Sequence, residues 1–483
     1  MGVTGKVQPQ EEGVVIRAMQ DRKSSDKWIT HGNLIRSAWR LSWPMVGAAI
    51  LDDLFTLVDM SFVGRLGPSA LAAVALAGTV IGALLMVVVG LTTGCTALVA
   101  QSVGAGDRKG AELATGQALG MAVVLSILAA ILSVFSQGVL RLFGAEQAVL
   151  AQGTSYLQAT LIGALPMVLT ITFSAALRGA GDATTLFWIV GLGNLINILL
   201  DPVMIFGWFG LPALGVAGSA WATVVSRTVS AVLLARLFFV NGHPHFRLTL
   251  RDLRPRSAVI WRMTKIGIFS SGQMFVLNLS AVALVKVVAA LGTSVLAAYG
   301  IAMRIGMVMM MPGMGFGNAA ATLVGQNIGA CRPQRAERAG WLVAGIYCLV
   351  AVGMSVFCVI FARPVIAFFN NDLQVVAAGV AILRWYCATF LFISLSIVLG
   401  RAMAGAGDTL APMVITAISM LGIRVPLAWR LSVVWGLAGI LIGIAASSVV
   451  QGCLMVCAFH WGRWKRIGQS HLDAMLEGPA GPC

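Results

Sequence analysis

The run NLINILLDPVMIFG, residues 194–207, is almost wholly apolar, yet it holds Asn194, Asn197 and Asp201, with Pro202 directly after the acid. Asn197 and Asp201 are four residues apart, so in a helix they share one face, one turn from each other, and Asn194 extends the stripe. Pro202 removes a backbone donor and can free a carbonyl for a ligand. Further oxygens come from distant stretches: Asp59 in LVDMSFVGRLG, Tyr156 in GTSYLQ and Thr223 in GSAWATVVSR. Carboxylate, amide and hydroxyl oxygens suit a hard cation. That makes Na+ a candidate at Asp59, Asn197, Asp201 and Thr223, and the same carboxylates can hold a proton instead.

These groups stand out because of their surroundings. The 483-residue chain is 58% hydrophobic and 11% charged, with mean hydropathy +0.90. A soluble domain has about 25% charged residues. Apolar runs of 20 or more residues recur, each long enough to cross a ~30 Å hydrocarbon core. The chain therefore reads as an integral membrane protein. Of its 18 acids, only Asp52, Asp53, Asp59 and Asp201 fall within apolar spans. A charge at the centre of such a helix costs about 2.5–3.5 kcal/mol, so each is a functional candidate. Asp52 and Asp53 read equally well as helix-end carboxylates or partners of a buried arginine.

Hydropathy predicts twelve spans, at 41–63, 70–103, 114–137, 156–178, 184–208, 213–240, 264–290, 296–329, 341–362, 380–401, 409–431 and 436–461. With the first 40 residues placed in the cytoplasm, 23 of the 33 Lys and Arg fall on that side and 5 on the other. Excess Lys and Arg mark the cytoplasmic face. Both termini are thus expected inside, and the net charge of +15 reflects membrane topology rather than nucleic-acid binding. Trp28, Trp39 and Trp43 at the first span, and Trp461 and Trp464 at the last, fit interfacial anchoring. No early apolar h-region marks a cleavable signal. The 1–40 tail is expected to hold an interfacial helix near 28–40. Eight cysteines show neither CxxC nor metal-ligand spacing, and Cys453 and Cys457 read as packing residues. Lys286, Arg304, Arg424 and Arg227 read as snorkelling or helix-end cations. Phosphate loops, HExxH and nucleophile elbows are lacking, so an enzyme is not expected.

The chain repeats itself. LGPSALAA at 66–73 returns as LGTSVLAA at 291–298, and ALVAQSVGAG at 97–106 as TLVGQNIGAC at 322–331, both 225 residues on. LRGAGD at 177–182 returns as MAGAGD at 403–408, and GVAG at 215–218 as GLAG at 436–439. Two halves of six helices each have the same membrane orientation, the parallel-repeat plan of some secondary transporters. The domains follow: a cytoplasmic tail 1–40, a first lobe 41–240, a cytoplasmic linker 241–263, a second lobe 264–462 and a tail 463–483. The repeat also supplies an internal control. Asp59 maps onto Leu284, Asn197 onto Leu421, Asp201 onto Val425 and Thr223 onto Ile444. Every counterpart is apolar, so helix packing common to both halves does not demand the polar cluster.

LVDMSFVGRLGPSALAAVALA, GLTTGCTALVAQSVGAGDRKGAELA, ALRGAGDATT, NLINILLDP, GVAGSAWATVVSR and GFGNAAATLVGQNIGA resemble the multidrug and toxic compound extrusion (MATE) transporters over residues ~35–462. The acids lie in the first half, and the seventh span reads SSGQMFVLNLS with Gln273 and no acid, which is most similar to the prokaryotic DinF-like branch. The resemblance implies an all-α membrane fold of twelve transmembrane helices in two parallel six-helix repeats, a V of N-lobe and C-lobe. It implies antiport: amphipathic, often cationic compounds leave the cell across its inner membrane as H+ or Na+ enters, with no other cofactor. By position it carries over Asp59, Asn197, Asp201, Thr223 and Tyr156 as the ion site and Pro44, fifteen residues before Asp59, as a bending point. A monomer is the default. A flippase of a lipid-linked substrate in the same wider superfamily is the alternative; twelve spans and an acidic first half count against it.

Overall fold

The computed structural model describes residues 28–466 apart from Ala145 and Leu211, and within them the secondary structure is entirely helical. The first half comprises α1 (Leu34–Gly64), α2 (Pro68–Ala105), α3 (Arg108–Ser133), α4 (Gln147–Ile162), α5 (Ala164–Ala180), α6 (Ala183–Phe206) and α7 (Val216–Ala235). The second comprises α8 (Ser257–Ala289), α9 (Thr293–Gly329), α10 (Pro333–Ile360), α11 (Leu373–Gly405), α12 (Leu410–Ala417), α13 (Val425–Trp435) and α14 (Leu437–Trp461). A π-helical turn, Ile418–Arg424, joins α12 to α13. Among the described residues, ten spans are long and apolar enough to cross a membrane, and α4 with α5, bent by 52°, makes an eleventh. The twelfth member of the two-fold set is α1, 31 residues long, with Pro44 inside it.

The repeated GAGD motif is a helix stop followed by a helix start. Gly106 (φ 74°) ends α2 in the left-handed conformation and Asp107 caps α3, accepting from the Gly110 amide at 2.9 Å. Gly181 (φ 84°) and Asp182 repeat the device between α5 and α6, and Gly407 and Asp408 repeat it before α12. At the fourth junction Cys331 takes the positive φ (57°) where its repeat mate has Gly106.

The two halves meet along α2 and α9. The Gln101 carbonyl lies where a Cβ on Gly329 would stand, and the Gln326 carbonyl lies where one on Gly104 would stand. The Gln101 amide donates to Gly405 O (3.2 Å) and the Gln326 amide to Gly179 O (2.8 Å). This reciprocity is the pseudo-two-fold axis expected of a parallel repeat, and it closes the molecule at the end that bears the basic 104–113 and 330–340 loops.

Three boundaries differ from expectation. First, α1 begins at Leu34, inside the predicted tail, because Asn33 caps it with a bond from the Ile35 amide (2.9 Å). The helix expected near 28–40 is therefore Trp28–His31 plus the opening turns of α1. Carbonyls of Thr30, Ile29 and Gly32 are bound by Arg332 and Arg335 of the second half. Residues 1–27 and 467–483 of the predicted tails lie outside the described residues. Second, the linker is shorter, since α8 starts at Ser257. The segment before it is docked: Phe246 and Leu248 are buried in the first-half core, and Gln117 bonds Asp252 O and Arg254 O (both 2.8 Å). Third, α1 is shared between halves. Leu41 and Met45 belong to the core of Met309, Phe316 and Tyr347, whereas its later turns run beside α6.

Candidate functional site

The polar residues of the first half converge where α1, α6 and α7 face one another, beside α4. Asp59 of α1 and Asp201 of α6 are both buried, and their carboxyls lie against each other. Ser219 of α7 donates to Asp59 Oδ1 at 2.6 Å. Asn197, one turn before Asp201, donates from Nδ2 to Thr223 Oγ1 at 3.2 Å. Asn197 Oδ1 and both Asp201 oxygens are buried without a hydrogen-bond partner among the described residues. Pro202 follows within α6 and offers no amide to the Ile198 carbonyl one turn back. Tyr156 on α4 is close enough for its ring to sense both carboxylates, but no hydrogen bond joins it to either.

This arrangement concentrates acceptors. Two carboxylates, an amide oxygen and two hydroxyls share one site, and three of the oxygens are unsatisfied. A buried charge or acceptor without a partner costs several kcal/mol, so the cluster is complementary to something positive and small. Among the described residues no cluster of His, Cys, Asp and Glu has the makeup of a transition-metal site. The donor set is all oxygen, as a hard monovalent cation or a proton requires.

The structure also separates residues that the sequence grouped. Asn194 does not join this cluster. It donates to Asp52 Oδ1 (3.0 Å), and Arg227 pairs with the same oxygen (3.3 Å). Asp52 thus has the arginine partner foreseen as one of its readings, and Arg227 is an ion-pair residue rather than a snorkelling one. Ser219 was missed. It sits one turn before Thr223 on the same helical face, and its repeat mate is Ile440; the same internal control would have found it. Gln273 of α8 donates to Thr416 Oγ1 (3.0 Å).

Two parallel six-helix halves, closed at one end around an axis and holding a buried carboxylate pair in one half only, define a membrane transporter built on an internal repeat. The sequence profile of the MatE family matches residues 44–203 and again residues 270–430, one match per half. The chain is 28% identical over 433 residues to the probable multidrug resistance protein NorM of Thermotoga maritima, covering 88% of this chain and 92% of the relative. A solved structure described as the outward-facing conformation of a multidrug resistance MATE family transporter superposes with TM-score 0.84 at 25% identity, covering 93% of this chain and 99% of that one. A crystal structure of MATE in the bent conformation gives TM-score 0.83 at 26% identity, covering 92% and 98%. The chain belongs to the MatE family: it is a multi-span membrane transporter of small molecules, not an enzyme.

Proposed function

We propose that the protein is a secondary antiporter of the bacterial inner membrane, with both termini cytoplasmic, that exports amphipathic, often cationic compounds in exchange for H+ or Na+. The observation that carries this reading is the Asp59–Asp201 pair with its unpartnered oxygens, set against apolar residues at the equivalent positions of the second half. The relatives described as multidrug transporters support the substrate class. The closed end bears the basic loops, so the described conformation corresponds to one sealed toward the cytoplasm.

In the proposed cycle the outward-facing site takes H+ or Na+ from outside. The ion offsets one negative charge of the Asp59–Asp201 pair and weakens its attraction for a cationic substrate, which leaves. Mutual exclusion of ion and substrate is a reciprocal coupling between sites. The loaded halves then rock about the α2–α9 axis, with Pro44 as the bending point of α1, and the ion is released inward. An inward-directed ion gains about 2.3 kcal/mol per charge per 100 mV of membrane potential. Ser219 and Asn197 hold the carboxyl of Asp59 and the hydroxyl of Thr223 in place throughout. The protein acts as a monomer, each chain containing a complete site.

The test is ethidium efflux from cells expressing the protein, energised separately by Na+ and proton gradients, with Asp201→Asn alongside. Efflux that follows one gradient and disappears in the variant is expected. Wild-type efflux in Asp201→Asn sinks the reading.

A further inference from the structure

Two arginines remain that the proposed ion cycle does not use. Arg178, near the end of α5, and Arg401, near the end of α11, line one pocket between the halves, together with Thr92, Thr93 and Thr96 of α2 and Asn318 of α9. The pocket is small and partly open, with a cavity volume of about 30 Å³, so it has room for a compact polar group rather than a whole substrate. It sits just above the Gln101–Gln326 seal, at the floor of the space between the lobes. Its walls are fixed: Thr322 donates to the Arg178 carbonyl (2.8 Å), and the seal uses the carbonyls of Gly179 and Gly405.

Neither guanidinium donates a hydrogen bond or forms an ion pair with any described residue. The one described carboxylate whose field reaches Arg178 is Asp52, which Arg227 and Asn194 already hold. The two arginines instead feel each other's charge. An arginine stays charged in a protein, and an unpaired charge within a membrane protein is costly and faces a partner or a pathway. Helix packing does not require either one. Across the repeat Arg178 corresponds to Ala404 and Arg401 to Ala175, so alanine serves the same structural place. Gly317 makes room for Arg401, since a Cβ there would stand 2.9 Å from its Cγ. The threonine hydroxyls turn their protons to the carbonyls of Val89 and Ala175. The groups left to donate into the pocket are the two guanidiniums and the Asn318 amide.

We propose that this pocket is an anion-binding subsite that takes the carboxylate, phosphate or sulfonate group of the transported molecule between Arg178 and Arg401. This rests on the transport reading and adds to its substrate class amphipathic compounds with an acidic group. Planar guanidiniums recognise such groups through paired, charge-assisted bonds.

The experiment is binding rather than transport, so it does not depend on the coupling ion. Fluorescein, a dianion, is titrated into the purified full-length protein in detergent and followed by anisotropy, with ethidium titrated in parallel. Saturable fluorescein binding is expected. Arg178→Gln and Arg401→Gln should each weaken it about tenfold, the loss of one charge-assisted contact, while ethidium binding and gel-filtration profile stay unchanged. The Arg178→Lys/Arg401→Lys protein, which keeps both charges, should still bind. Displacement by inorganic phosphate alone assigns the subsite to soluble anions, and displacement by short-chain phosphatidylglycerol but not by phosphate assigns it to a lipid headgroup; either supports the subsite. Absence of saturable binding to the unaltered protein, or unweakened binding in the double glutamine variant, overturns it. Ethidium efflux that persists in either case leaves the transport reading standing, and failed efflux with intact anion binding removes that reading alone.

Discussion

The two halves share a fold and differ in what they bury. In the first, Asp59, Asp201, Asn197, Ser219 and Thr223 gather between α1, α6 and α7. In the second, the equivalent positions are Leu284, Leu421, Val425, Ile440 and Ile444. A charged group that does lie within that lobe is positive: Arg424 donates to Ser447 (2.9 Å) and Ser448 (3.2 Å), with Tyr299 and Tyr386 nearby. A snorkelling position was expected for it; its hydroxyl partners on α14 hold it inward instead. The π-helical turn just before Pro426 adds to the divergence, since such a turn inserts a residue and rotates what precedes it. The comparison teaches that one set of packing rules supports opposite interior polarities. Gln101 and Gln326, which face the axis, stay paired in type and role. The residues inside each lobe do not.

The sharpest way to break this comparison is to swap its members. Asp201→Asn should weaken ion binding about 100-fold, because removing one partner of a buried charged cluster costs about 3 kcal/mol or more, and each 1.36 kcal/mol is tenfold. Val425→Asn, at the mate position, should leave gradient-driven ethidium efflux within about twofold of the unaltered protein. Initial rates under an imposed gradient measure both. Equal losses would mean that the two lobes share the coupling work, and the asymmetry read from the structure would carry no function.

A smaller effect is expected at Ser219. Its hydroxyl gives Asp59 a hydrogen bond at 2.6 Å, and a bond to a charged group contributes about 1.5–3 kcal/mol. That bond favours the ionised, ion-free carboxylate, so Ser219→Ala should lower the coupling-ion concentration for half-maximal efflux about tenfold without altering folding, while Ile440→Ser in the other half shifts it little. The same titration on each variant reads this. An unshifted Ser219→Ala would show that Asp59 is held by Asp201 alone.

The carboxylates were legible because they are out of place: an acid in an oily helix announces itself, and the repeat showed that packing did not require it. Helix order and the two-fold plan were legible for a related reason, since GAGD junctions and apolar runs act locally. What was not legible depends on rotation and distance. Asn194 and Asn197 lie three residues apart on one stripe, yet one reaches Asp52 and the other Thr223. Hydropathy cannot say which flank of a stripe meets which neighbour. Ser219 was hidden because a serine in a small-residue helix reads as packing. The early start of α1 turned on one capping residue, Asn33, inside a polar segment where apolar periodicity gives no signal.

The smallest expected difference lies outside the membrane, at the twin caps Asp182 and Asp408. Asp408 is buried and Asp182 partly so, which by itself pushes a carboxyl up. At Asp182, hydrogen bonds from His243 (3.3 Å) and Thr185 outweigh burial and bring the group below its ordinary value of 3.8. At Asp408, burial wins over the Ala411 and Leu410 amides and the charge of Arg463, and the group stands above that value. A depressed carboxyl stabilises the fold at pH above the unfolded value, and that contribution is lost as pH falls through the folded one. A raised carboxyl acts in reverse, costing stability as pH rises through the window between the two. Asp182→Asn should thus cost about 1 kcal/mol at neutral pH, allowing for its partial exposure, with the gap closing in acid. Asp408→Asn should be neutral or slightly stabilising at neutral pH, since an asparagine still accepts from the Ala411 amide and carries no charge to bury. Apparent unfolding temperatures of the two variants in detergent, at neutral pH and near pH 4, measure the pair. Equal destabilisation by both would mean that the caps work as hydrogen-bond acceptors alone, and that the halves differ only in their interiors.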